Sequence, residues 1–124
     1  KENNKKFIPL NVSAPFHCSL MKPATIVMTD KINSINFKKP IFDIICNVTA
    51  KPENNPEVIK KLLVKQIFST VRWRESLINM SKNKVTDYIE IGPGKALSGM
   101  VKRTIKNINC FSINSIDDMK KLVQ

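Results

Sequence analysis

Histidine occurs once in the 124 residues, at His17, and cysteine three times, at Cys18, Cys46 and Cys110. One imidazole with no C-x-x-C pair excludes a zinc knuckle, and three distant thiols form no disulfide framework. Reduced thiols in a cytosol are the plain reading. No apolar run approaches the roughly 20 residues that a membrane-spanning helix needs. The opening Lys1-Glu2-Asn3-Asn4-Lys5-Lys6 has neither the apolar stretch nor the cleavage site of a secretory signal. Aromatic residues make up only 6%, and no helix-turn-helix, RNP or zinc-finger pattern is present, so nucleic acid is not an expected partner. Acidic residues are scarce: 10 stand against 21 Lys and Arg, a formal net charge of +11. Such a balance favours anionic counterparts such as a coenzyme phosphate or an acidic protein. It also follows from a chain rich in Lys, Asn and Ile, whose surface lysines are solvated.

An apolar share of 42% and a charged share of 25% suit a folded chain rather than a disordered one. Residues 7–13 read as a short extended segment, which Pro9 confines to an edge or a strand start. Ala14-Pro15-Phe16-His17 reads as a loop, since the residue before a proline avoids the helical region. From Leu20 to about Ile35 apolar residues recur at helical spacing, with Pro23 in the first turn. Ile41 to Val48 is a dense β-branched run that predicts a strand covered on both faces, and Thr49–Asn55 a loop. Asn55-Pro56-Glu57 is a helix start, with Val58, Ile59, Leu62, Leu63, Gln66 and Ile67 on its stripe. A further helix is predicted from about Val71-Arg72-Trp73 through Met80, with Trp73 as a core anchor. Tyr88–Ile91 predicts a strand, Gly92-Pro93-Gly94 a tight turn, and Ala96 to Ile105 a helix. Cys110–Ile113 predicts a last strand, and Ser115 the cap of a final helix. Strands alternating with helices imply an α/β fold with a largely parallel sheet. The Ile41–Val48 run wants neighbours that the chain hardly supplies.

Among residues that could carry chemistry, His17 stands in a loop between a strand-like segment and a helix, where α/β folds collect catalytic groups. An imidazole titrates near neutrality and suits a general base. On placement alone, a structural histidine and a catalytic one both remain open. Cys18 follows directly, and adjacent residues in an extended loop point apart, which makes the two a poor nucleophile–base pair. Gly92-Pro93-Gly94-Lys95 lacks the G-x-x-x-x-G-K-[ST] phosphate-loop pattern. The amides opening the following helix could still face a ligand.

The stretch from Pro9 to Ala24, with Ala14-Pro15-Phe16-His17-Cys18-Ser19-Leu20-Met21 at its centre, resembles the active-site histidine segment of the bacterial malonyl-CoA:acyl-carrier-protein transacylases. Three further blocks resemble the family in order: Ile44–Val48; Leu63-Val64-Lys65-Gln66-Ile67 with Val71-Arg72-Trp73; and Ile89-Glu90-Ile91-Gly92-Pro93-Gly94-Lys95-Ala96-Leu97-Ser98-Gly99-Met100. The resemblance implies that residues 1–124 are the C-terminal section of an acyltransferase domain. They would form part of its large α/β-hydrolase-like subdomain, with a short, largely parallel sheet and helices. It implies a ping-pong transfer of malonyl from malonyl-CoA to the phosphopantetheine thiol of acyl carrier protein. It implies a reaction without cofactor, nucleic acid or membrane, in cytoplasmic fatty-acid synthesis. His17 matches the histidine that takes the serine proton, and the backbone carbonyl of Gln66 matches the group that orients it, so the Gln66 side chain should matter little. Phe16 matches a position that, in related polyketide acyltransferases, narrows the pocket against branched acyl groups.

The sequence departs from the family's pattern in having no G-x-S-x-G. The arginine that holds the malonyl carboxylate and the first G-Q-G loop have no counterpart either. The small ferredoxin-like subdomain is missing except for a strand near Lys6–Ser13. A chain without the serine should not turn over alone. Acidic carrier proteins would be steered by Lys5, Lys6, Lys102 and Arg103. A non-catalytic basic binding module and a polyketide-type acyltransferase domain are the alternative readings.

Overall fold

Helix starts are the most local feature of this chain, and the helix opened by Asn55 follows its signal. A computed structural model describes residues 13–123. The extended segment expected over residues 7–13 therefore lies, but for Ser13, outside the described part, as do Lys5 and Lys6. Asn55 Oδ1 accepts hydrogen bonds from the amides of Glu57 and Val58 at 2.9 and 3.3 Å, and Pro56 occupies the first turn of α2 (Pro56–Gln66). The cap satisfies two of the donors that every helix leaves open at its start.

The helix expected from Leu20 divides. A 3₁₀ turn at Ser19–Met21 precedes α1 (Ala24–Asn33), because Pro23 opens a helix but cannot donate within one. The apolar run at 41–48 departs further from expectation. Only Ile44–Cys46 form a strand, β1, which pairs antiparallel with β2 (Lys51–Glu53) inside the expected loop. Ala50 at φ 56 supplies the left-handed turn residue, and its amide donates to Cys46 O at 2.8 Å. Pro52 then faces Ile45 in an edge position, where its missing donor is tolerated. Ile41 and Phe42 stand 92% and 82% exposed while Cys46 is buried, so the described residues cover the end of the run and leave its start bare.

The other half behaves as read. Helix α3 (Trp73–Lys82) leads to β3 (Asp87–Ile91), α4 (Ala96–Thr104), β4 (Asn109–Ile113) and α5 (Ile116–Val123). Strands β3 and β4 run parallel in register from Asp87↔Asn109 to Ile91↔Ile113, with α4 as the crossover that a parallel pair requires. Leu77, Tyr88 and Val101 form the buried core, against which Trp73, Met80, Ile105, Ile108 and Cys110 pack. Trp73 is thus the anchor expected of it. Ser115 Oγ accepts from the Asp118 amide at 3.2 Å and caps α5. The α/β class holds, with one parallel and one antiparallel pair among the described residues. No helix among them is long and apolar enough to cross a membrane.

Candidate active site

The carbonyls of a helix's last turn have no partner within the helix and accept from whatever approaches. Gln66 is the last residue of α2. Its oxygen receives a long bond of 3.4 Å from the Ser69 amide and lies 2.8 Å from His17 Nδ1. An oxygen cannot donate, so this contact requires the proton on Nδ1, leaving Nε2 as the free acceptor. The segment that carries His17 is bent to reach it. His17 has φ 57, an uncommon state for a residue with a Cβ. The Phe16 amide donates to Ala14 O at 2.9 Å and the Met21 amide to Cys18 O at 3.0 Å. The Cys18 thiol donates back to Pro15 O at 3.1 Å, so it serves the loop rather than the imidazole. Lys22 Nζ sits 6.0 Å from the centre of the Phe68 ring, tying the approach to α1 to the end of α2. Phe16 is 58% exposed beside His17.

The Gln66 side chain also has a partner. Its Oε1 accepts from Asn47 Nδ2 at 3.2 Å, and Asn47 O accepts from the Arg72 amide at 2.9 Å at the entrance to α3. Asn47 stands inside the Ile44–Val48 block, but nothing in its local pattern singles it out.

The Gly92-Pro93-Gly94 turn resolves differently from the sequence expectation that its helix amides could face a ligand. Lys95 precedes α4 without a capping bond. In its place the Glu90 carboxylate, reaching from β3, accepts from the amides of Ser98 at 2.7 Å and Leu97 at 3.1 Å. Gly94 N donates to Asn114 Oδ1 at 2.6 Å. The anion at this helix start is the protein's own. Hydrogen bonding by Ser98 first, and then by the Leu97 amide, holds the Glu90 carboxyl below its ordinary 4.5. Gly92 and Gly94 take φ 137 and 96 with open space where a Cβ would stand, so conformation rather than room demands glycine there.

The cationic residues separate. Lys102 lines a cleft of about 440 Å³ between α4, β4 and α5, together with Lys95, Lys121 and Asp118. Arg103 follows about 100° around the helix. Its guanidinium lies back over Gly99, with Nη1 3.4 Å from where a Cβ would be.

No protein-family model matches the chain. It is 34% identical over 118 residues to the malonyl CoA-acyl carrier protein transacylase of Synechocystis sp., covering 95% of this chain and 40% of that protein. It superposes on the acyl-carrier-protein S-malonyltransferase of Bartonella henselae with a TM-score of 0.86 at 39% identity, covering 92% of this chain and 36% of that one. The chain is a homologue of the malonyl CoA-acyl carrier protein transacylases. It spans about two fifths of the length of the curated relative. A second similar structure is a malonyl-transacylase in complex with the holo acyl-carrier protein of a type II PKS, at a TM-score of 0.84 and 35% identity, covering 92% of this chain and 37% of that one.

Proposed function

We propose that this chain carries the histidine side of a serine–histidine acyl-transfer site. In the intact transacylase that site moves malonyl from malonyl-CoA to the phosphopantetheine thiol of acyl carrier protein, in the cytoplasm and without a cofactor. The observation that supports it is the 2.8 Å approach of His17 Nδ1 to the Gln66 carbonyl, which leaves Nε2 as a base. The serine has no G-x-S-x-G motif to occupy in this sequence, and so comes from another part of the transacylase. Nε2 takes the serine proton as the oxygen attacks the thioester carbonyl, and the imidazolium returns a proton to the departing CoA sulfur. The carrier thiol then repeats the exchange in reverse: His17 takes its proton, the thiolate attacks the serine ester, and the serine oxygen is reprotonated. Phe16, beside His17, narrows the acyl site against branched groups, and Lys102 lies on a cationic face suited to an acidic carrier.

The test is malonyl transfer by this chain joined to the serine-bearing remainder of a homologous transacylase. His17→Ala lowers the rate by about two to four orders of magnitude, the usual worth of a general base. Transfer at the parent rate by His17→Ala would overturn the reading. The 124-residue chain alone, incubated with radiolabelled malonyl-CoA, retains no ester.

A further inference from the structure

The Gln66 peptide group is lightly held by its own helix. Beyond it the ladder gives way to Ile67 N to Val64 O at 3.3 Å, Phe68 N to Lys65 O at 3.4 Å and Ser69 N to Gln66 O at 3.4 Å. All three lie at or beyond the long end of good backbone hydrogen bonds. A carbonyl that must present one lone pair to an imidazole 49 residues away therefore needs a restraint from elsewhere. Asn47 provides one. Its carboxamide grips the Gln66 side chain at 3.2 Å, while its own carbonyl is fixed at 2.9 Å by the Arg72 amide. Arg72 is anchored in turn by its guanidinium, which donates to Thr49 O at 3.2 Å. The line of contacts runs from the start of α3, through the β1–β2 turn, to the end of α2 and so to His17. Asn47 and Gln66 are both half-buried, where a carboxamide pair is worth more than in open water.

We propose that Asn47 is a positioning residue for His17: by holding the Gln66 side chain it sets the direction of the Gln66 carbonyl and, through it, the imidazole tautomer. The kinetic consequence rests on the reading of His17 as the base; the structural one does not. Because His17 is the only histidine, its ring nitrogens give an unambiguous NMR signature in the full 124-residue chain.

The parent chain shows the Nδ1–H tautomer in excess. Asn47→Leu, of similar size but unable to hydrogen-bond, raises the Nε2–H population roughly two- to tenfold, the leverage of one neutral hydrogen bond. Asn47→Asp restores the parent ratio, because the Gln66 amide can turn to donate to the carboxylate. Gln66→Ala reproduces Asn47→Leu, and the double variant is no worse than either single one, as one shared contact requires. In the joined transacylase the same variants, Gln66→Ala included, lower kcat several-fold with little change in the KM for malonyl-CoA. This departs from the expectation, drawn from the resemblance, that the Gln66 side chain matters little, because that side chain is held by Asn47. An unchanged tautomer ratio in Asn47→Leu, or additive effects in the double variant, overturns the inference. A shifted tautomer alongside a fully active His17→Ala sustains it and removes the acyl-transfer reading instead.

Discussion

Two regions of this molecule bury their apolar residues to different degrees. Around β3, α4 and β4 a core closes over Leu77, which is fully buried, and over Tyr88 and Val101, nearly so, while Ile91 at the strand end stays 81% exposed. Around β1 the same kind of residue is left open, with Ile41 and Phe42 almost wholly exposed. The candidate base lies in the open region, where exposed His17 meets half-buried Gln66. In the closed region position is set by packing density, which resists any change of volume. In the open one it is set by a few polar contacts, His17 to Gln66 and Gln66 to Asn47. This matches a chain that spans about two fifths of the length of its curated relative.

The strongest way to break the comparison is to cut into each region alike. Leu77→Ala should destabilise the chain by about 2–5 kcal/mol, the cost of deleting a fully buried leucine. Phe42→Ser, although it removes a larger side chain, should stay within about 0.5 kcal/mol. Denaturant titration of both variants checks the pair, and equal losses would show that the 41–48 run is covered after all.

A smaller effect sharpens the account of the closed region. The Glu90 carboxyl is held below 4.5 in the fold, so its contribution is complete above that pH and fades as pH falls through the lower folded value. Glu90→Gln should lower the melting temperature at about pH 7, and the gap to the parent should narrow as the pH falls below 4.5 and through the lower folded value. A gap independent of pH would mean that the carboxylate charge is not what caps α4.

The smallest expected effect concerns the surface. In the joined transacylase, Lys102→Glu with Arg103→Glu should raise the KM for acyl carrier protein several-fold, an effect that shrinks with salt. The KM for malonyl-CoA should move little. Lys102 shares its cleft with Lys95 and Lys121, whereas Arg103 folds over Gly99, so Lys102→Glu alone should account for most of the change.

What could be read from the residues alone was whatever depends on near neighbours. Asn55-Pro56-Glu57 starts α2 because cap, proline and acidic first turn all act within four residues. Ser115 caps α5 on the same terms, and the glycines at 92 and 94 mark a turn that only left-handed backbone can make. The resemblance of the His17 segment and of Leu63–Ile67 pointed to the two partners of the site, but only the folded chain brings His17 and Gln66 within 2.8 Å.

Periodicity could not foresee that the β-branched run at 41–48 would pair over three residues only and leave its first two side chains bare. Apolar composition states a need for cover, not whether a neighbour is there to meet it. Nor could it find Asn47 or the capping role of Glu90, since each acts on a helix end that the fold alone brings to it. Local chemistry decides where elements begin and end. Which lone pair meets which proton across 49 residues of chain is decided by packing, because the hydrogen bond tolerates only a few tenths of an ångström.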